Sequence, residues 1–103
     1  MKFKTHNQKE IKTGGTSLMG YVNVGYKKLK KVFGEPTESD GYKSDAEWEI
    51  EFEDETIATI YNYKDGKNYL GEDGIDTAKI TDWHIGGNDI KTIKLVKEAL
   101  GVK

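Results

Sequence analysis

The sequence contains no cysteine, no arginine and a single proline, Pro36. Without cysteine the chain forms no disulfide and no thiolate metal site, which suits a reducing compartment and predicts a cytoplasmic location. It also lacks any run of about 18 apolar residues, the length needed to cross a bilayer, and it has no apolar signal segment. We therefore expect no membrane partner.

The missing arginine also bears on nucleic-acid binding. All sixteen basic side chains are lysine. Arginine is the residue that most often reads base edges and phosphates with a forked pair of donors, whereas lysine offers only a compact charge. The composition therefore disfavours direct binding to nucleic acid.

The length of 103 residues, with 35% hydrophobic and 33% charged residues, predicts one small domain over 1–103. Residues 1–13 show no sustained hydrophobic period and end in the turn-forming residues Thr13, Gly14 and Gly15. They are predicted to form either a frayed arm or a short edge strand. An exposed edge strand makes pairing of two copies a further possibility.

Hydrophobic spacing predicts the secondary structure. Apolar residues three and four positions apart predict helices over Asn23–Phe33 and Asp89–Leu100, with Asn23 as the first helix cap. The predicted strands are Thr16–Val22, Asp45–Glu53, Thr56–Tyr63 and Ile80–Ile85, and residues 64–74 form a glycine-containing loop. This order predicts an α+β fold, a two-layer sandwich in which an antiparallel sheet with a central β-hairpin carries two helices packed on one face.

The two central strands are separated by Asp54-Glu55. If that dipeptide forms a two-residue turn, Phe52 lies opposite Ile57 and Trp48 lies opposite Tyr61. Glutamate is poorly suited to the positive φ that such a turn requires at its second position, so a longer turn is the alternative.

Charge is strongly segregated along the chain. Residues 1–31 carry eight lysines and one acid, whereas residues 35–55 carry ten acids and one lysine. Within the predicted strand Asp45–Glu53, apolar and acidic residues alternate, which places the acids on one face. These residues are Glu47, Glu49, Glu51 and Glu53. Their face either contacts a basic partner or is simply solvated.

Enzyme signatures are absent from the sequence. The two histidines lie far apart, and no zinc-protease, serine-hydrolase or phosphate-loop motif is present. His84, beside Gly86 and Gly87, could share a proton or contact a phosphate, or it could simply bond to neighbouring backbone at a strand end. We expect no metal and no cofactor.

Polar, glycine-bearing segments carry tyrosine and lysine together. Tyrosine beside lysine and flexible glycine can stack on a flat ring and contact its phosphates, and the same composition also suits a protein-binding surface. The candidate ligand-binding residues are Ser17, Tyr42, Lys43, Lys64, Lys67, Tyr69 and His84.

Several ordered strings together resemble a family of small, largely uncharacterised proteins encoded by phages and prophages. Two positions depart from the family pattern, since Glu55 stands where glycine is usual and Tyr63 stands where tryptophan is common. The matching strings are Gly15–Leu18 with Gly20-Tyr21, Phe33–Pro36, Asp40–Lys43 with Ala46–Trp48, Ala58–Asn62, Gly66–Tyr69 and Trp83–Gly87.

The resemblance implies origin rather than activity. A small phage protein without catalytic motifs is expected to bind a component of its host, and interference with a bacterial defence system is the function it suggests. It would either sequester a nucleotide-derived signal or block a host effector protein through the acidic face. The alternatives are a small enzyme that acts on a nucleotide or peptide with His84 as acid or base, and a minor structural phage protein.

Overall fold

The computed structural model describes residues 1–37 and 43–102. Its strands are β1 (Phe3–Thr5), β2 (Ser17–Asn23), β3 (Glu47–Phe52), β4 (Ile57–Tyr61) and β5 (Asp82–Gly87). Its helices are α1 (Tyr26–Phe33), α2 (Lys67–Leu70) and α3 (Thr92–Leu100), with 3-10 turns at Gly71–Asp73 and Thr77–Lys79. Within the described ranges the strands form one antiparallel sheet in the order β1-β3-β4-β5-β2. The predicted α+β class is confirmed.

The side-chain alternation of β3 divides the sheet into two faces. Trp48, Ile50 and Phe52 are buried, and α1 and α3 contribute buried residues to the same core. The indole rings of Trp48 and Trp83 meet edge to face, with their centroids 5.4 Å apart, at the centre of that core. Both indole N–H groups donate to backbone carbonyls, so burial leaves neither indole donor unsatisfied. We call the side that carries the helices the inner face and the opposite side the outer face.

The predicted starts of the two long helices were wrong by three residues each. Asn23 is the last residue of β2, opposite Asp82, so it does not cap a helix, and α1 begins at Tyr26 after Gly25. The second long helix begins at Thr92, which leaves Ile90, an apolar residue within the predicted helix, 71% exposed. Pairing of Asn23 with Asp82 overrides the local helix signal at the first place. At the second, the Asp89 carboxylate accepts a hydrogen bond from the Lys91 backbone N–H over 3.0 Å, which forms a turn ahead of the helix.

The turn between β3 and β4 has three residues, 53–55. The Phe52 N–H donates to the Thr56 carbonyl over 2.9 Å, and the Glu55 N–H donates back to the Phe52 carbonyl over 2.9 Å. Glu55 has a φ of 72°. A tight turn closed by a residue in the left-handed region is the usual three-residue hairpin connection.

This turn shifts the hairpin register by one residue from the two-residue prediction. Trp48 lies opposite Ile60 rather than Tyr61, and Phe52 does not lie opposite Ile57. The longer turn, left open as the alternative, is the one that forms. Because a one-residue shift exchanges the faces of a strand, Tyr61 lies on the outer face instead of opposite Trp48 in the core.

The N-terminal residues form an edge strand followed by a connection to the far edge of the sheet. β1 pairs with β3, which confirms the edge-strand alternative. The Lys9 ammonium then contacts Glu51 on the outer face. Ile11 is only 6% exposed yet lies outside the core cluster, and Thr59 on the outer face is also 6% exposed. Lys9 therefore lies on the outer face, and Ile11 is buried outside the core cluster.

Replacing Glu55 by glycine should stabilise the protein. A non-glycine residue in the left-handed region is strained by roughly 1–2 kcal/mol, and glycine relieves the strain at some cost in chain entropy. We expect Glu55→Gly to raise the free energy of unfolding by about 0.5–1 kcal/mol in urea titrations. Glu53→Gly, in the same turn, has no positive φ to relieve, so an equal gain there would contradict the explanation.

Asp54 makes the stability of this turn depend on pH. Hydrogen bonds from the Thr56 hydroxyl and the Lys91 ammonium, together with the Thr56 backbone N–H, lower the pKa of Asp54 from 3.8 to about 2. The Lys91 ammonium lies 3.0 Å from the carboxylate. An unfolded aspartate titrates near 3.9, so the unfolded chain binds the proton more tightly.

The stabilisation from Asp54 is therefore complete above about pH 4 and is lost as the pH falls to about 2. We expect the difference in unfolding free energy between the wild type and Asp54→Asn to shrink over that range in urea titrations at each pH. A difference that stays constant from pH 5 to pH 2 would contradict the assignment.

Candidate functional site

A row of directly opposed side chains crosses the outer face of the sheet. Tyr61 of β4 is paired with Glu47 of β3 on one side and with His84 of β5 on the other, and His84 is paired with Tyr21 of β2. The His84 ring meets Tyr21 edge-on with their centroids 4.9 Å apart, and it meets Tyr61 in the same manner at 5.5 Å. The row therefore joins four strands at one level.

Tyr63 adds a stacked ring to this row. It follows Tyr61 by two residues, and its ring stacks on His84 with centroids 5.6 Å apart and an angle of 27° between the planes. Tyr63 is 41% exposed and Tyr21 is 54% exposed. We call the four residues Tyr21, Tyr61, Tyr63 and His84 the aromatic face.

Two lysines lie at the Tyr63 end of the aromatic face. The ammonium nitrogens of Lys43 and Lys64 lie 6.0 Å and 5.2 Å from the centre of the Tyr63 ring. Lys64 also lies 5.4 Å from the centre of the Tyr69 ring. The Lys64 N–H donates to the Lys43 carbonyl over 2.7 Å, which holds the two lysine backbones together. Positive charge is thus concentrated beside one partly exposed ring.

A buried asparagine holds the loops that carry these residues. Asn62 is fully buried, and its side-chain oxygen accepts hydrogen bonds from the backbone N–H groups of Asp45 and Ala46. Its amide group donates to the carboxylates of Asp45 and Asp65, each over 3.0 Å. Asp45 in turn accepts from the backbone N–H of Asn68 at the start of α2. The segments around Asp45, Asp65 and Asn68 are therefore linked through Asn62, the last of them by way of the Asp45 carboxylate.

Glycine allows these loops to approach one another closely. A Cβ on Gly66 would lie 2.0 Å from an Asp45 carboxylate oxygen, and a Cβ on Gly74 would lie 2.4 Å from the Gly66 backbone. Any larger residue at either position would push the loops apart. The segment 64–74, predicted as a loop, is therefore held closely at Gly66 and Gly74, and it contains α2 and a 3-10 turn whose residues are exposed.

Four of the candidate ligand-binding residues are brought together. Tyr63 lies at the centre of this group, since it contacts Lys43, Lys64 and His84, while Tyr69 joins through Lys64.

The other three candidates differ. Ser17 is not part of the group, because it pairs with Gly87, three residues along β5 from His84 and so roughly 10 Å away. The Lys67 ammonium lies 3.4 Å from an Asp76 carboxylate oxygen. Tyr42 lies outside the described residues.

Three rings of the site were missing from the candidate set. The two-residue turn would place Tyr61 opposite Trp48 in the core, and Tyr63 and Tyr21 are not among the candidate ligand-binding residues. The available signal was strand alternation, because Tyr61 and Tyr63 take the parity of the acidic residues once the turn has three residues.

The acidic residues share the outer face with the aromatic ones. Glu47, Glu49 and Glu51 are half-buried on that face, and Glu51 is paired with Lys9. Glu53 lies in the turn rather than on the strand. Burial, and then the negative charge of Glu47, raise the pKa of Tyr61, so this phenol stays neutral and can donate a hydrogen bond.

Among residues 1–37 and 43–102, no group of three or more histidine, aspartate or glutamate side chains is placed to hold a metal ion. The helices in these ranges are too short or too polar to traverse a bilayer. No protein-family model matches the chain, and no curated protein resembles it significantly.

Removing the Asn62 side chain should loosen the candidate site. Asn62→Ala leaves buried N–H groups without acceptors, and each such loss costs about 1–3 kcal/mol. We expect the free energy of unfolding to fall by about 3 kcal/mol and the Lys64 amide to exchange its hydrogen faster. Asn23→Ala, at an exposed position of β2, should change stability by less than about 0.5 kcal/mol. Equal effects of the two variants would refute the role given to Asn62.

Proposed function

We propose that this chain is a non-enzymatic binding protein that captures a nucleotide-class ligand on its aromatic face. The observation that carries the proposal is the environment of Tyr63, a partly exposed ring stacked on His84 with the ammonium groups of Lys43 and Lys64 about it. The resemblance to phage proteins supports the purpose of the capture, which is to sequester a nucleotide-derived signal of a bacterial defence system.

The rings supply the non-specific part of the binding. A flat base that stacks on an aromatic side chain gains about 1–3 kcal/mol, and every base offers such a face. Tyr63 is already held by His84, so little side-chain entropy is lost when a ligand ring binds. Exposed rings on a rigid sheet are thus a ready stacking surface.

The charges orient the ligand. Glutamates line β3 on the same face, so a phosphate placed over that strand would be repelled. At the Tyr63 end, the ammonium groups of Lys43 and Lys64 lie 6.0 Å and 5.2 Å from the ring centre, and a lysine ammonium group can donate to a phosphate group bound there. A nucleotide would therefore bind with its ring on the tyrosines and its phosphate between Lys43 and Lys64.

Calorimetric titration with a panel of linear and cyclic nucleotides tests the proposal. We expect at least one nucleotide to bind, Lys64→Gln to weaken that binding about tenfold through loss of a charge-assisted contact, and Tyr63→Ala to weaken it at least about fivefold. Lys94→Gln, which removes a lysine of α3 that lies near Glu98, should leave the affinity unchanged. No heat with any nucleotide, or wild-type affinity in both site variants, would overturn the proposal.

Recovery of the ligand separates capture from catalysis. After prolonged incubation and denaturation of the complex, a sequestering protein releases its nucleotide chemically unchanged. A converted nucleotide, with conversion abolished by His84→Ala, would instead support the enzyme alternative. The ring contacts of His84 with Tyr21, Tyr61 and Tyr63 favour a positioning role for this side chain.

A second candidate function uses the acids of the same face. Because Glu47 and Glu49 lie side by side on β3, the face could instead cover a basic site on a host effector protein. Removal of an acidic charge distinguishes the two candidate functions. Glu49→Gln would weaken a complex with a basic partner, especially at low salt, and would leave nucleotide binding intact.

A further inference from the structure

Glu47 occupies one end of the row that crosses the outer face. It lies directly opposite Tyr61, a relation that places the two Cβ atoms about 5 Å apart. Glu47 is half-buried, and its charge contributes to the raised pKa of Tyr61. A carboxylate therefore borders the aromatic face within reach of a ring stacked there.

The lysines border the same face at a different point. They surround Tyr63, which follows Tyr61 by two residues and so lies about 7 Å farther along the chain. A nucleotide held with its phosphate between the lysines directs its base back toward Tyr61 and Glu47. The edge of that base would then face a carboxylate.

A carboxylate only accepts hydrogen bonds, so it favours a base edge that presents donors. Uracil and thymine present one N–H between two carbonyl oxygens, which a carboxylate repels. Adenine and cytosine present one amino group beside an acceptor nitrogen. Guanine is the common base with two adjacent donors, the ring N–H and the 2-amino group, which match the two carboxylate oxygens in a bidentate pair.

We infer that the nucleotide captured by this protein carries guanine and that Glu47 is the residue that selects it. This inference rests on the proposed function, because it requires a nucleotide bound between the tyrosines and the two lysines. In this arrangement Lys43 and Lys64 contact the phosphate of the nucleotide, and Glu47 contacts the edge of its base. Glu47 thus has a role in the ligand site, in addition to its place among the acidic residues of β3.

Inosine monophosphate tests the inference because it differs from guanosine monophosphate only by lacking the 2-amino group. In calorimetric titrations we expect the wild type to bind guanosine monophosphate at least about tenfold more tightly than inosine monophosphate or adenosine monophosphate. Glu47→Gln should bring guanosine and inosine monophosphate to within about twofold of each other, mainly by weakening the former.

Glu49→Gln is the matched control, since Glu49 lies on the same strand and face but opposite Thr59 rather than Tyr61. It should keep the full preference for guanine, and circular dichroism and the melting temperature should confirm that both variants fold. Equal binding of guanosine and inosine monophosphate by the wild type, or an intact preference in Glu47→Gln, would overturn the role of Glu47 while leaving nucleotide capture standing. Absence of binding to any nucleotide would overturn both proposals.

Discussion

One fully buried side chain, Asn62, holds together the segments from which the candidate site is built. Its amide bonds to the backbone ahead of β3 and to the carboxylate of Asp65, and through Asp45 it reaches the start of α2. An amide suits this position because it both accepts and donates, whereas an ionised carboxylate in its place could only accept. Burial away from water strengthens each of these bonds and raises the cost of losing one.

The sheet separates two kinds of chemistry by its two faces. The inner face is closed by tryptophans and helices, so it supplies the hydrophobic free energy of the fold. The outer face carries the aromatic face and the glutamates. The glutamates lie along β3, whereas Lys43 and Lys64 lie beside Tyr63.

Much of the fold could be predicted from the sequence because strand alternation is a local signal. The β3 pattern identified the buried positions Trp48, Ile50 and Phe52 correctly. The hairpin register could not be predicted with the same security, because it depends on whether Glu55 adopts a positive φ. The candidate site was predicted only in part, because the hairpin register decides that Tyr61 lies on the outer face of the sheet. Asn62 links three segments by tertiary hydrogen bonds, and such contacts leave no periodic pattern in the sequence.

The strand order has a consequence for how the aromatic face comes into being. The β3–β4 hairpin closes around only residues 53–55, but pairing of β2 with β5 encloses residues 24–81. By the usual logarithmic dependence on loop length, the second closure costs about 2–3 kcal/mol more chain entropy. Tyr21 and His84 meet only after that long-range closure. The aromatic face is thus completed only by the full topology, and a fragment that retained the hairpin alone would carry Tyr61 without its neighbours Tyr21 and His84.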